Sequence, residues 1–222
     1  MTNVPLSEHD GTVTHPVTAA VARRRLLPVV VLRDARAAEP LASALIAGGL
    51  HTAEVTLRTD AAIHAIRAMA TLRGFLVGAG TVLTPAQVDR AVEAGARFVV
   101  SPGFSPAVVR RCQDIGVPVF PGVATATEVQ MALDAGLDTV KFFPAEQLGG
   151  AAMVRALAAP FPSVRFIPTG GIHSGNLPAY LAQPAVLAVG GTWMVAPDLL
   201  AQADWNEITR LTQAATSAAG EV

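Results

Sequence analysis

The stretch from residue 85 to residue 143, PAQVDRAVEAGARFVVSPGFSPAVVRRCQDIGVPVFPGVATATEVQMALDAGLDTVKFF, contains one device three times. In Glu93-Ala94-Gly95-Ala96, Asp114-Ile115-Gly116-Val117 and Asp134-Ala135-Gly136-Leu137, a segment with helical spacing stops at a glycine and an apolar run follows at once. A glycine just past the last helical residue takes positive φ easily and ends the helix, so the next residues are free to start a strand. Pro85 to Ala94, Pro106 to Ile115 and Thr127 to Ala135 therefore read as helices. Arg97 to Val100, Val117 to Phe120 and Thr139 to Phe143 read as strands, giving a βα repeat of about 20 to 25 residues.

The same alternation runs outward in both directions. Strands are expected near Pro28 to Leu32, Thr52 to Leu57, Phe75 to Ala79, Val164 to Ile167 and Ala185 to Val189, with helices at Ala38 to Ala47, Ala61 to Leu72 and Ala151 to Leu157. Strands alternating with helices imply right-handed βαβ units and a parallel sheet. Eight such units predict an α/β protein built as a single closed (β/α)8 TIM barrel of parallel strands, residues 21–222, preceded by a loose tail over residues 1–20. A final helix from Asp198 carries Trp205, Ile208 and Leu211 as its buried stripe. The other architecture open to this alternation is a doubly wound sheet, but no G-x-G-x-x-G follows the first strand.

Composition narrows the class. The chain has 222 residues, a net charge of −1, 15% charged residues and 51% hydrophobic ones. Such a chain can bury a core, and it lacks the basic excess that tracking nucleic-acid phosphates requires. Its single cysteine, Cys112, forms no internal disulfide and no cysteine-rich metal site, which fits a cytoplasmic protein. Arg23, Arg24 and Arg25 precede an apolar run, but that run ends at Arg33 and Asp34 without a cleavage site, so no secretion signal is read there. The uncharged stretch from Ser174 to Pro197 holds Asn176, Gln183, Gly190, Gly191 and three prolines, and no membrane segment is expected.

Strands covered on both faces should be apolar almost throughout, and two are not. In Thr52-Ala53-Glu54-Val55-Thr56-Leu57-Arg58, the period of two puts Ala53, Val55 and Leu57 toward the helices, and Glu54, Thr56 and Arg58 toward the interior. In Thr139-Val140-Lys141-Phe142-Phe143, Lys141 faces the interior. It is the only lysine beside fifteen arginines, so a task for an amine is indicated. An amine can lose its proton and attack a carbonyl to form an imine, which a guanidinium cannot do. Glu54 would be the general acid/base. Arg58 could pair with a substrate carboxylate in bidentate geometry. The structural alternatives are a Lys141–Glu54 ion pair for the first two and a rim salt bridge for Arg58.

Two glycine pairs mark a second end. Pro168-Thr169-Gly170-Gly171-Ile172 and Val189-Gly190-Gly191-Thr192-Trp193 follow the last two strands, where backbone N–H groups commonly bind phosphate. Tight turns alone would also explain them. Thr81, after Gly78-Ala79-Gly80, could offer a hydroxyl to the site or cap the next turn. His64 and His173 have no partner at metal-ligand spacing, and no metal is expected.

Six of these motifs together resemble the 2-dehydro-3-deoxy-6-phosphogluconate (KDPG) and 4-hydroxy-2-oxoglutarate aldolase family. They are Ala-Glu-Val-Thr-Leu-Arg-Thr (53–59), Val-Gly-Ala-Gly-Thr-Val-Leu (77–83), Ser-Pro-Gly (101–103), Lys-Phe-Phe-Pro-Ala-Glu (141–146), Pro-Thr-Gly-Gly-Ile (168–172) and Gly-Gly-Thr-Trp (190–193). The match runs in order over about residues 26 to 215. The resemblance implies a class I aldolase without cofactor or metal, acting on a phosphorylated keto acid, and a homotrimer. By position it implies Lys141 as the Schiff-base lysine, Glu54 as acid/base, and Arg58 and Thr81 as binders of the pyruvyl carboxylate. Pro102, Phe143 and Thr169 would line the pocket, with Gly170, Gly171, Gly191 and Thr192 at the phosphate. The family usually has Ser where this chain has Thr192. The galactonate epimer and 4-hydroxy-2-oxoglutarate remain open as substrates within the family. Outside it, a phosphosugar isomerase or synthase and a non-catalytic phosphate sensor could share the glycine loops.

Overall fold

The computed structural model describes residues 15–220. Nine parallel strands are present among them: β1 (Leu26–Val30), β2 (Thr52–Thr56), β3 (Leu76–Gly80), β4 (Val99–Val100), β5 (Val119–Phe120), β6 (Gly122–Val123), β7 (Thr139–Phe142), β8 (Arg165–Pro168) and β9 (Val189–Gly191). The helices are α1 (Pro16–Arg24), α2 (Ala38–Ala47), α3 (Ala62–Ala70), α4 (Pro85–Glu93), α5 (Pro106–Asp114), α6 (Ala126–Asp134), α7 (Gly150–Ala158), α8 (Leu177–Leu181), α9 (Pro197–Gln202) and α10 (Trp205–Gly220). Gly95, Gly116 and Gly136 all have positive φ, between 67° and 103°, immediately after α4, α5 and α6. The repeated helix stop thus works as its sequence indicates.

The expectation of one closed eight-stranded TIM barrel is corrected. The strands form a curled six-stranded sheet, in the order β5-β4-β3-β2-β1-β9, and a separate three-stranded sheet, β6-β7-β8. The ladder parts at Pro121, between β5 and β6, where proline supplies no N–H to continue it. At the other side, β8 and β9 are joined only by isolated bridges, Phe166 to Val186 and Thr169 to Gly190. The α/β class and the parallel direction stand. Because β9 pairs with β1, Leu26 opposite Val189, the first strand lies between the second and the last.

Two further differences concern the ends of the chain. Of the expected loose tail over residues 1–20, residues 1–14 lie outside the described residues, whereas residues 16–20 are already in α1. Here His15 caps the first turn by accepting from the Val17 N–H, and Pro16 sits at the first helical position. Val17 and Val21 of α1 pack on Leu27, Phe98, Phe120, Ile167 and Leu187, closing the end of the sheets where the strands begin. The last helix is broken by Ala203 in a left-handed conformation, and its buried stripe is Ile208, Thr212, Ala215 and Ala219. Thr212 rather than Leu211 faces inward because Gly48 leaves α10 only enough room for a small side chain against α2.

The main core lies between the sheets and the helices and contains Ala53, Val55, Val140 and Phe142, the outward members of the two anomalous strands. Their inward members are therefore directed at the space between the sheets. Cys112 is fully buried in α5, and burial pushes its thiol up to about 12, so it stays protonated and unreactive at neutral pH. Among the described residues no helix is long and apolar enough to cross a membrane.

Candidate active site

The six-stranded sheet presents Glu54 from the middle of β2, and the three-stranded sheet presents Lys141 from β7. Their side chains meet: Lys141 Nζ donates to Glu54 Oε1 at 3.2 Å. Glu54 is 1% exposed and Lys141 6%. Two ionised groups this deep are costly to desolvate, and a nonpolar pair of similar volume would serve stability as well or better. The other carboxylate oxygen, Glu54 Oε2, is buried without a partner among the described residues, an acceptor open to a ligand. The Phe143 ring lies 5.4 Å from the Lys141 nitrogen, close enough for its face to favour a positive charge there.

The pair sits in a cavity of about 170 Å3 at the C-terminal ends of the strands. In parallel α/β proteins, ligands bind in the crevice beyond those ends. Every residue singled out from the sequence reaches it. Lys141, Glu54, Arg58, Thr81, Pro102, Phe143, Thr169, Gly170, Gly171, Gly191 and Thr192 all line it. Larger grooves of about 680 and 410 Å3 lie on the surface beside it and share only Arg58 with it. Neither contains a buried ionisable pair.

Arg58 is exposed at the mouth. Among the described residues its guanidinium forms no salt bridge, so the rim-salt-bridge alternative is not realised. Thr81 follows β3 with φ of 55°, a left-handed conformation that costs a β-branched residue on the order of 1–3 kcal/mol and is characteristic of sites where local strain serves placement. Gly170 and Gly171 have φ of 106° and 75°. The Gly171 N–H forms no intramolecular hydrogen bond among the described residues, whereas both carbonyls are used: Gly170 accepts from Glu146 N–H at 3.1 Å and Gly171 from Asn176 Nδ2 at 3.2 Å. The turn thus has its carbonyls occupied within the protein and a backbone donor left at Gly171.

Val29, Thr56 and Ile172 also line the cavity, although the sequence reading gave them no role. The period-two pattern already turns Thr56 inward, and Val29 is opposite Glu54 in the β1–β2 register. Gly80 was missed for a different reason. A Cβ at that position would run into the Glu54 carboxylate, so glycine in β3 is what lets the acid occupy the interior. The same holds at Gly191, where a Cβ would strike the Trp193 ring, and at Gly190, where it would strike Thr169 Oγ1. No three His, Cys, Asp or Glu side chains come together as a metal-ligand set among the described residues.

Comparison with known proteins gives concordant results. The family model for KDPG and KHG aldolases matches residues 17–211. The 2-dehydro-3-deoxy-phosphogluconate aldolase of Treponema pallidum is 53% identical over 195 residues, covering 87% of this chain and 93% of that protein. Among solved structures, the KDPG aldolase of Legionella pneumophila, with pyruvate captured as a covalent carbinolamine, superposes with a TM-score of 0.87 at 43% identity over 90% of this chain and 98% of that one. The Zymomonas mobilis 2-keto-3-deoxy-6-phosphogluconate aldolase with 3-phosphoglycerate gives 0.85 at 44% identity, over 90% of this chain and 94% of that one.

Proposed function

Since the chain belongs to the KDPG and KHG aldolase family, we propose that it is a class I aldolase, cleaving KDPG to pyruvate and D-glyceraldehyde 3-phosphate through an imine on Lys141. The observation that carries this reading is the sole lysine, buried 3.2 Å from a buried carboxylate in a cavity that is also lined by the Gly170–Gly171 turn, Gly191 and Thr192. A phosphosugar isomerase would not need an imine-forming lysine, nor would a phosphate sensor.

The chemistry follows from the pair. Glu54 takes a proton from the Lys141 ammonium, and the free amine attacks the C2 ketone. Glu54 returns the proton to the carbinolamine hydroxyl, which leaves as water and yields the iminium. The Phe143 face favours that cation. Glu54, directly or through water, then removes the C4 hydroxyl proton. The C3–C4 electrons move into the iminium, the aldehyde departs, and an enamine remains. Protonation at C3 and hydrolysis release pyruvate and regenerate Lys141. Arg58 and Thr81 hold the carboxylate beside the amine, with Pro102 and Thr169 shaping the pocket. The phosphate takes the Gly171 N–H and the Thr192 hydroxyl, beside Gly170 and Gly191. The homotrimer implied by the resemblance and the cytoplasmic location read from the single cysteine belong to the same reading, as does residues 21–222 acting as one domain.

Borohydride reduction in the presence of pyruvate is the direct test. One reduced pyruvyl group should appear by intact mass and map to Lys141, and EDTA should leave turnover unchanged. Activity lost to EDTA and restored by a divalent ion would overturn the imine mechanism.

The two ends of the site should separate by mutation. Arg58→Ala removes the carboxylate anchor, so both pyruvate trapping and KDPG cleavage should fall by about tenfold or more, the worth of a charge-assisted hydrogen bond. Thr192→Ala should raise KM for KDPG several-fold and leave pyruvate trapping at the wild-type rate, because pyruvate does not extend that far. Equal losses of trapping and cleavage in Thr192→Ala would place residue 192 at the reacting end.

A further inference from the structure

The phosphate turn is not supported by its own strand alone. The segment that follows Lys141 runs alongside it: Ala145 N–H donates to the Thr169 carbonyl at 2.8 Å and Glu146 N–H to the Gly170 carbonyl at 3.1 Å. The Glu146 side chain lies directly beneath the turn, since a Cβ at Gly171 would sit 2.7 Å from Glu146 Cβ and 2.8 Å from Cγ. Its carboxylate points the other way. Oε1 accepts a hydrogen bond from the Tyr180 hydroxyl, beside Gly150. Tyr180 is 1% exposed and belongs to α8. Burial first, and the bond to Glu146 second, push its phenol well above the usual range, so it remains a donor at any working pH.

Glu146 is not among the residues that line the cavity, yet its stem touches the turn assigned to a phosphate. A carboxylate free to rotate there would repel the incoming dianion, since like charges at short range disfavour binding. We propose that Tyr180 and Glu146 act as a positioning pair for the substrate's phosphate, Tyr180 holding the Glu146 carboxylate away from the Gly170–Gly171 turn while the Glu146 stem and backbone fix the turn's shape. This rests on the assignment of that turn to phosphate. Glu146 lies five residues after Lys141 in the chain, so the pair also ties the phosphate end to the strand that carries the amine.

Three variants test it: Tyr180→Phe, Glu146→Gln and the double variant, each assayed for KDPG cleavage, for competition by inorganic phosphate, and for borohydride trapping with pyruvate. Tyr180→Phe releases the carboxylate. It should raise both KM for KDPG and the inhibition constant of phosphate about tenfold, with kcat and trapping within about twofold of wild type. Glu146→Gln keeps an acceptor for Tyr180 and removes the charge, so it should bind phosphate at least as well as wild type. The double variant should recover most of the KM lost by Tyr180→Phe, a rescue that a purely structural role would not give. Unchanged KM and phosphate inhibition in Tyr180→Phe, equal losses of trapping and cleavage, or a double variant no better than Tyr180→Phe would each overturn the pair's role. Phosphate that fails to compete with KDPG in the wild-type enzyme would overturn the phosphate assignment itself and, with it, the proposal.

Discussion

Lys141→Arg should reduce KDPG cleavage to background and abolish borohydride trapping, with circular dichroism and the thermal transition close to wild type. The guanidinium preserves the positive charge that Glu54 faces at 3.2 Å, so the buried carboxylate is not left unpaired, an omission that would cost about 3–5 kcal/mol. What it removes is the ability to give up a proton and become a nucleophile. If the pair were only a structural link between the two sheets, arginine would be the better member, with more donors and a fixed fork. Cleavage retained above trace in a rigorously purified variant would reduce Lys141 to that structural part.

The second large effect is at Glu54→Gln. Glutamine keeps the size and an acceptor for Lys141 but cannot carry a proton between substrate atoms. Exchange of the pyruvate methyl protons with deuterium, followed by NMR, should fall by about 10²-fold or more, the usual worth of a positioned general base. Trapping of pyruvate on Lys141 should persist in part, since the amine and the carboxylate anchor remain. An unchanged exchange rate would assign the proton transfers elsewhere.

These expectations were readable from the sequence because the informative residues break a local rule. A carboxylate and an amine in strands that should be apolar stand out without any structure, and the period of two gives their direction. The helix stops were equally legible, because Gly95, Gly116 and Gly136 each perform a task confined to adjacent residues. What failed depends on partners distant in the chain. Whether the eighth strand pairs fully with its neighbours, or a proline interrupts the ladder at residue 121, depends on hydrogen bonds that no periodicity encodes. The glycines show the same limit. Gly80 and Gly191 are required by Glu54 and Trp193, and a reading along the chain sees only that a side chain is missing. Helix α1 was overlooked because a short segment with mixed polarity becomes helical here through its docking on Leu27, Phe98 and Phe120.

The pairing of β1 with β9 also bears on how the chain is made. During synthesis β1 acquires β2 early, but its other edge keeps its N–H and C=O groups open until residues 189–191 have left the ribosome. At roughly 5–20 residues per second, the intervening 150 or so residues take about 8 to 30 seconds. For that interval the nascent protein displays an apolar strand edge, the kind of template on which neighbouring chains pair. Lys141 and Glu54 have both been translated by then, so the enzyme's chemistry is encoded well before its last edge is covered, and the burden on cellular chaperones falls in that gap.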